Sequence, residues 1–406
     1  MNIKLDKTKA LVALVYFLQG FGLAALAFSL FLKETLHWNI MQMTLMETII
    51  AIPWFFKILY GVASDTFPLF GYRRKSYLVA SSVLAVLCCV ALAALRYTSF
   101  WYFASLFFLS STASCMMDVI IDGYVVQQST DLKKTNEYQN LSWGSRAVGA
   151  ASSSWLGGWL AAHFVVYQIF WMQIPIVAMQ LPFALLLNEN KAVLVRTKDT
   201  FRLFKTALVT PIREFLGNKQ LLWVTLFMVL GLFSPSYGTP FFFRMRDVLH
   251  FDPQFLGLIG SVNSAGEVIG CIVFAKFLIN VPIKKLLYIS VFIWAVNTAA
   301  VLAIVNGTTA IAVIFTGAVM GYISFVPTLS IAAKICQNTK HEATMFAILM
   351  SFRNVAVQGS SLFGSWLYKY TGFFWLVVIS TVTTFMVLPI IKRLQEVRID
   401  ESPSPK

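Results

Sequence analysis

The sequence predicts an all-α polytopic membrane protein, twelve transmembrane helices arranged as two pseudo-symmetric six-helix bundles. Three observations predict it. The 406-residue chain is 58% hydrophobic, 15% aromatic and only 12% charged, a composition that no soluble domain can cover with a polar surface. Runs of about 20 apolar residues recur, and a helix needs roughly that many to cross a ~30 Å hydrocarbon core with its own backbone polar groups satisfied. Finally, residue patterns of the first half return in the second.

The first span, 9–32, contains Gln19 and an Ala25-Leu26-Ala27 triplet that could pass for a cleavage signal. Its apolar run continues to Leu32, as in a retained anchor. The second, 40–65, carries Glu47, Trp54 and Lys57 and closes at Asp65; Arg73, Arg74 and Lys75 then lead into the third, 75–95. The fourth, 99–127, holds Asp118 and Asp122, and the fifth, 139–162, holds Arg146. The sixth, 166–188, ends at the longest polar segment. That segment, 189–219, reads as a cytoplasmic linker with an amphipathic surface helix, separating an N-terminal bundle (1–188) from a C-terminal one (220–406). The remaining spans are 220–246, 254–280, 286–304, 308–335, 342–367 and 372–391. Ser234-Pro235-Ser236, Gly238-Thr239-Pro240 and Pro327 can break their helices and expose backbone.

With the N-terminus inside, most of the 32 Lys and Arg residues fall at cytoplasmic ends and loops, the positive-inside bias. Topology therefore absorbs the net charge of +14 and leaves no basic face for nucleic acid. Both termini are expected in the cytoplasm, and the chain is expected as a multi-pass monomer in the lipid bilayer of a plasma or inner membrane. The five cysteines fall in or beside spans and read as small packing residues rather than a disulfide framework. Asn306-Gly307-Thr308 fits a glycosylation sequon in an outer loop.

The repeat is specific. GSRAVGAASSSWLGGWL (144–160) aligns with SFRNVAVQGSSLFGSWL (351–367), pairing Arg146 with Arg353, Ser153 with Ser360 and Trp159 with Trp366. KETLHWN (33–39) aligns with RDVLHFD (246–252). Internal repeats of six helices are the pattern of secondary transporters, whose substrate site lies near the midplane where the halves meet.

Ionisable residues inside spans cost roughly 2.5–3.5 kcal/mol each on insertion scales, so they should face a cavity or a partner. Asp118 and Asp122 are four apart and share a helix face. Depth counted from the span ends places Arg146 level with Asp122, which predicts an Asp122–Arg146 ion pair and leaves Asp118 unpaired, available to a proton or a substrate. Phe325 and Leu329 occupy the places of Asp118 and Asp122 in the second repeat. Arg353 therefore has no symmetric acid; it suits an anionic substrate, or pairs with Asp65 or Glu342. Lys57 either snorkels to the interface or faces Asp118 and Asp122. Asp65 either meets the start of the eleventh helix at an inner gate or pairs with an arginine of its own loop. Glu47, Trp54, Gln19, Glu267, Asn263 and Asn297 are further embedded candidates.

No zinc-protease pattern occurs among the four histidines, nor a phosphate-binding loop, a nucleophile elbow or zinc spacing. No enzyme, metal or cofactor is expected. A membrane receptor or scaffold that keeps a carrier fold without transport is the alternative class; the cost of embedded charges argues against it.

Gly61, Ser64, Asp65, Gly71, Arg73 and Arg74 resemble the loop between helices two and three of the major facilitator superfamily, with Thr66–Phe70 inserted. More narrowly, PWFFKILYGVASDTFPLFGYRRKSYL, DVIIDGYVVQQS and NLSWGSRAVGA resemble the folate-biopterin transporter family. The sequence departs from that family at Gly123-Tyr124 and Gln127-Gln128, where a small residue and a Glu-Arg pair are expected. The resemblance implies uptake of folates or pterins coupled to protons, with S-adenosylmethionine carried by some relatives. On that reading Asp118 reads the pterin or carries the proton, and Arg353 holds the glutamate tail. Arg146, Trp54, Gln19 and Glu267 complete the substrate set, while Asp122, Lys57, Asp65, Arg73 and Glu47 serve coupling and gating.

Overall fold

A computed structural model describes residues 7–128, 132–186, 189, 191, 197–278, 281–337, 339 and 342–394. They are almost entirely helical. Among them, nine helices are long and apolar enough to cross a membrane, or ten if one bent pair counts as a single span. Large apolar side chains such as Leu87, Trp155, Val296 and Met386 lie exposed, as expected where lipid rather than water is the solvent.

The first span is two helices, α1 (Lys7–Gly20) and α2 (Ala24–Leu30), the second continuing as a π-turn to Thr35. α3 (Ile40–Phe55) and α4 (Lys57–Thr66) form the second, bent at Phe56. Pro53, which lacks an N–H to donate, lies inside α3 one turn before that bend. Then follow α5 (Lys75–Ala94), α6 (Phe100–Gln128), α7 (Leu132–His163), α8 (Val166–Ala178) and α9 (Gln180–Leu186). α10 (Thr197–Gly217) occupies the segment where a linker helix is expected.

The later helices are α11 (Lys219–Leu232), α12 (Gly238–Asp247), α13 (Pro253–Val273), α14 (Ile283–Ala300), α15 (Gly307–Gln337), α16 (Glu342–Thr384) and α17 (Leu388–Ile391). α16 is interrupted at Gly372, whose φ of 68° only glycine adopts at no steric cost. Pro327 does not break its helix: α15 runs through it unbroken. Asn306 of the sequon caps α15, its Oδ1 accepting from Thr309 N–H at 2.9 Å while Thr309 Oγ1 accepts from Asn306 N–H, a reciprocal cap.

Contacts sort the chain into two units. The first comprises Met1–Trp38, Ile49–Val209 and Asp252–Ser261; the second comprises Asn39–Thr48, Thr210–Phe251 and Val262–Lys406. In the first, Val12, Val15, Tyr16, Leu78, Ile120 and Ile121 are packed together. In the second, Phe274, Leu286 and Ile323 form a smaller core.

The repeat is visible in the backbone. His37 and His250 both adopt positive φ, 53° and 52°. Leu36 N–H donates to Phe31 O and Trp38 N–H to Leu32 O; Leu249 N–H donates to Arg244 O and Phe251 N–H to Met245 O. Asn39 and Asp252 then cap the next helices, accepting from Gln42 N–H at 2.9 Å and Phe255 N–H at 2.8 Å. The helix breaks match as well. Between α1 and α2 the Gln173 side chain accepts from Leu23 N–H at 2.7 Å and donates to Phe21 O at 3.2 Å. Between α11 and α12, Ser234 Oγ lies 2.7 Å from both the backbone O and the side-chain Oγ of Ser380. Gln173 and Ser380 hold the same place in the two repeats, as counted from Arg146 and Arg353.

Candidate functional site

The bend at Phe56 makes Lys57 the first residue of α4 and places it beside α6. Its Nζ lies 2.5 Å from Asp118 Oδ2, with the two side chains 18% and 7% exposed. Arg146 of α7 reaches the other oxygen, Nη1 to Oδ1, at 3.7 Å. The predicted Asp122–Arg146 pair is thus replaced by an Asp118–Arg146 pair, and Asp118, expected to be unpaired, holds two cations. The reason is helix length. α7 starts at Leu132 rather than 139, so Arg146 lies about two turns deeper than the sequence reading placed it, level with Asp118. Asp122 instead accepts a hydrogen bond from the Tyr16 hydroxyl. Neighbouring Gly123, Tyr124, Gln127 and Gln128 lie outside the described side chains.

Trp54 stands one turn before Lys57. Its Nε1 donates to Ser111 Oγ at 3.0 Å, and Lys57 Nζ lies 5.1 Å from its ring centroid, a cation–π distance. Trp54, Gln19 and Arg146 line one cavity of about 290 Å³ inside the first unit, with Gln180, Phe28 and Phe107. Both polar atoms of the Gln19 carboxamide are buried and have no hydrogen-bond partner among the described residues.

Beyond the spans, Leu69–Tyr72 closes a tight turn with positive φ at Phe70 and Gly71, the hairpin geometry that favours glycine at the second position. Asp65 pairs with Arg74 of its own loop at 3.5 Å, one of the two expectations for it. Arg74 is buried and also donates to Ile120 O at 3.3 Å. Burial pushes its guanidinium below the usual range, against the pull of Asp65 and Glu189. Arg73 is exposed. Glu189 was not foreseen as part of this loop. Its carboxylate accepts from the backbone N–H groups of Arg73, Arg74 and Lys75 at 2.8–3.1 Å, capping α5 with a negative charge. Its only sequence signal is an acid at the end of the sixth span.

In the second unit, Arg353 Cζ lies 4.8 Å from the Phe325 ring centroid, and its buried Nε has no hydrogen-bond partner among the described residues. The arginine meets the same position of the repeat as Arg146 does, but finds a ring where Arg146 finds Asp118. The Glu342 side chain lies outside the described ones. Glu267 accepts from Asn263 at 2.9 Å, Asn297 donates to Gly317 O at 3.0 Å, and Glu47 accepts from Thr239 at 3.1 Å.

These helices and their embedded charges define a polytopic membrane carrier. Solved structures share the fold: a mutant form of the nucleoside transporter NupG covers 94% of this chain and 99% of its own at a TM-score of 0.73 and 13% identity. A D-xylose-proton symporter covers 97% and 98%, with a TM-score of 0.69 and 13% identity. At such identities the likeness is one of fold alone. The chain belongs to the BT1 family, whose model matches residues 19–403, a transporter family rather than an enzyme family. Its relatives include a folate-biopterin transporter of Synechocystis, 31% identical over 92% of this chain and 79% of that one. Folate transporter 2 of Plasmodium falciparum is 27% identical over 90% and 82%. A probable folate-biopterin transporter of Arabidopsis thaliana is 24% identical over 89% and 88%.

Proposed function

We propose that the protein is a secondary active transporter of folate or pterin-type substrates, coupled to protons and working by alternating access. In this reading it acts as a monomer with twelve spans in two six-helix bundles, 1–188 and 220–406, joined by a cytoplasmic linker, 189–219, with both termini cytoplasmic. The substrate class comes from the named relatives. The observation that carries the mechanism is Asp118 held between Lys57 and Arg146.

A carboxylate shared by two cations couples a proton to an anion. Protonation of Asp118 releases Lys57 and Arg146, which a folate carboxylate can then engage; loss of the proton restores the internal pair and expels the anion. Tyr16-bound Asp122 is a second proton acceptor of the same cluster. Arg353, set over the Phe325 ring, offers a further cation to the glutamate tail. Trp54 offers an aromatic face. Glu267 completes the substrate set, and Glu47, Asp65 and Arg73 act in gating.

Counterflow in proteoliposomes loaded with folate, biopterin or S-adenosylmethionine tests the reading. Exchange of folate or biopterin, stimulated by an inward proton gradient, is expected. Binding without exchange identifies a receptor instead, and preference for S-adenosylmethionine reassigns the cargo. Asp118→Asn is expected to abolish the pH dependence of uptake; a variant that keeps it removes Asp118 from the coupling.

A further inference from the structure

Among the polar groups that line the cavity of the first unit, Gln19 stands apart from the charge cluster with both its amide atoms buried and unpartnered among the described residues. Gln19 is the penultimate residue of α1, immediately before the backbone break at residues 21–23. Gln173 ties both sides of that break, satisfying Leu23 N–H and Phe21 O. The end of α1 is therefore fixed, and the Gln19 carboxamide is held with both its donor and its acceptor buried and unpartnered among the described residues. A buried amide in that condition costs free energy, and its retention calls for a ligand that completes it.

The walls say what kind. Phe28 and Phe107, 4.4 Å apart between ring centroids, and Trp54 line the same space as Gln19, so the cavity offers aromatic surface beside polar groups, which also include Ser110, Ser114 and Gln180. Its volume, about 290 Å³, sits at the lower end of the roughly 300–1,000 Å³ of small-molecule sites, enough for a fused bicyclic ring but not for a ring with a long tail. Asp118 does not line this cavity, and its oxygens are directed to Lys57 and Arg146.

We propose that Gln19 is the residue that reads the pterin ring: the ring N–H donates to Oε1, the adjacent ring carbonyl accepts from Nε2, and the aromatic walls hold the plane. This rests on the folate or pterin reading above and moves ring recognition from Asp118 to Gln19. Arg146 lines the same cavity and offers a cation to a tail carboxylate.

The test compares equilibrium binding of biopterin, folic acid and p-aminobenzoyl-glutamate, which lacks the pterin, to the purified full-length protein and to Gln19→Leu. Loss of two hydrogen bonds should weaken biopterin and folic acid about ten- to hundredfold and leave p-aminobenzoyl-glutamate unchanged. The ligand-free variant should melt no lower than the parent, since leucine replaces an unsatisfied amide. Unchanged biopterin affinity in Gln19→Leu, or equal losses for all three ligands, overturns the assignment. Gln19→Met gives the same comparison if the leucine variant does not fold. A parent protein that binds neither biopterin nor folic acid refutes the underlying substrate reading instead.

Discussion

At Asp118 the effect of a substitution depends on how many charges it strands. Lys57→Met leaves Asp118 with Arg146, whereas Asp118→Asn leaves two cations without their carboxylate. Breaking a buried pair from one side costs about 3–5 kcal/mol, so Asp118→Asn is expected to lower the melting temperature clearly more than Lys57→Met, measured by thermal unfolding in detergent. Phe325→Asp should do the reverse in the second unit: the new carboxylate pairs with Arg353, raises thermal stability and weakens folate binding at least tenfold while sparing an uncharged pterin. If Arg353 plays no part in tail binding, the folate affinity will not move. The sequence offered Lys57 to the acidic pair, as one of two readings, but gave Arg146 to the wrong acid, because depth was counted from a helix end that lies seven residues from the observed one. The repeat put Phe325 and Leu329 where the symmetric acids of Arg353 would stand, since equivalent positions need no absolute depth, but that Arg353 meets Phe325 rather than Leu329 came only from the structure.

Helices here are shaped by what pins their breaks and how closely they approach. Gln173→Ala leaves Leu23 N–H and Phe21 O without partners, a loss of about 1–3 kcal/mol, and should raise hydrogen exchange at residues 20–25. Gly158 and Gly257 approach within the first unit so that a Cβ on Gly158 would lie 2.7 Å from Gly257 Cα and 2.8 Å from Pro253 O. Backbone cannot yield there as a flexible side chain could. Gly158→Val is expected to free the start of α13, read as lost exchange protection at residues 253–261. At the equivalent positions Thr44 and Ser365 share a hydrogen bond of 2.7 Å. The Ser-Pro-Ser break after α11 was legible because proline announces it. Its counterpart after α1 was not, having only glycines as signal, and Pro327 misled, because one missing N–H does not by itself interrupt a well-packed helix.

For the whole molecule, the apolar runs and the repeat were enough to read a polytopic bundle, since both are properties of many residues at once. Cargo was legible only through family resemblance, because it depends on a few groups such as Gln19 whose partners a sequence does not list. Orientation is directly testable. Thr98 lies exposed in the loop before α6 and Arg213 is exposed in α10; the positive-inside bias puts them on opposite faces. In intact cells a membrane-impermeant maleimide should label Thr98→Cys at once and Arg213→Cys only after permeabilisation. The natural background is low, since Cys88, Cys89, Cys115 and Cys336 are buried and only Cys271 is partly accessible. The internal repeat also leaves the experimenter a matched control within one polypeptide. Gln173 and Ser380 fasten equivalent breaks, and the first adjoins Gln19, whose amide has neither donor nor acceptor partnered among the described residues. If Gln173→Ala impairs cargo binding and Ser380→Ala impairs stability alone, the two repeats are put to different uses, one to recognition and the other to scaffolding.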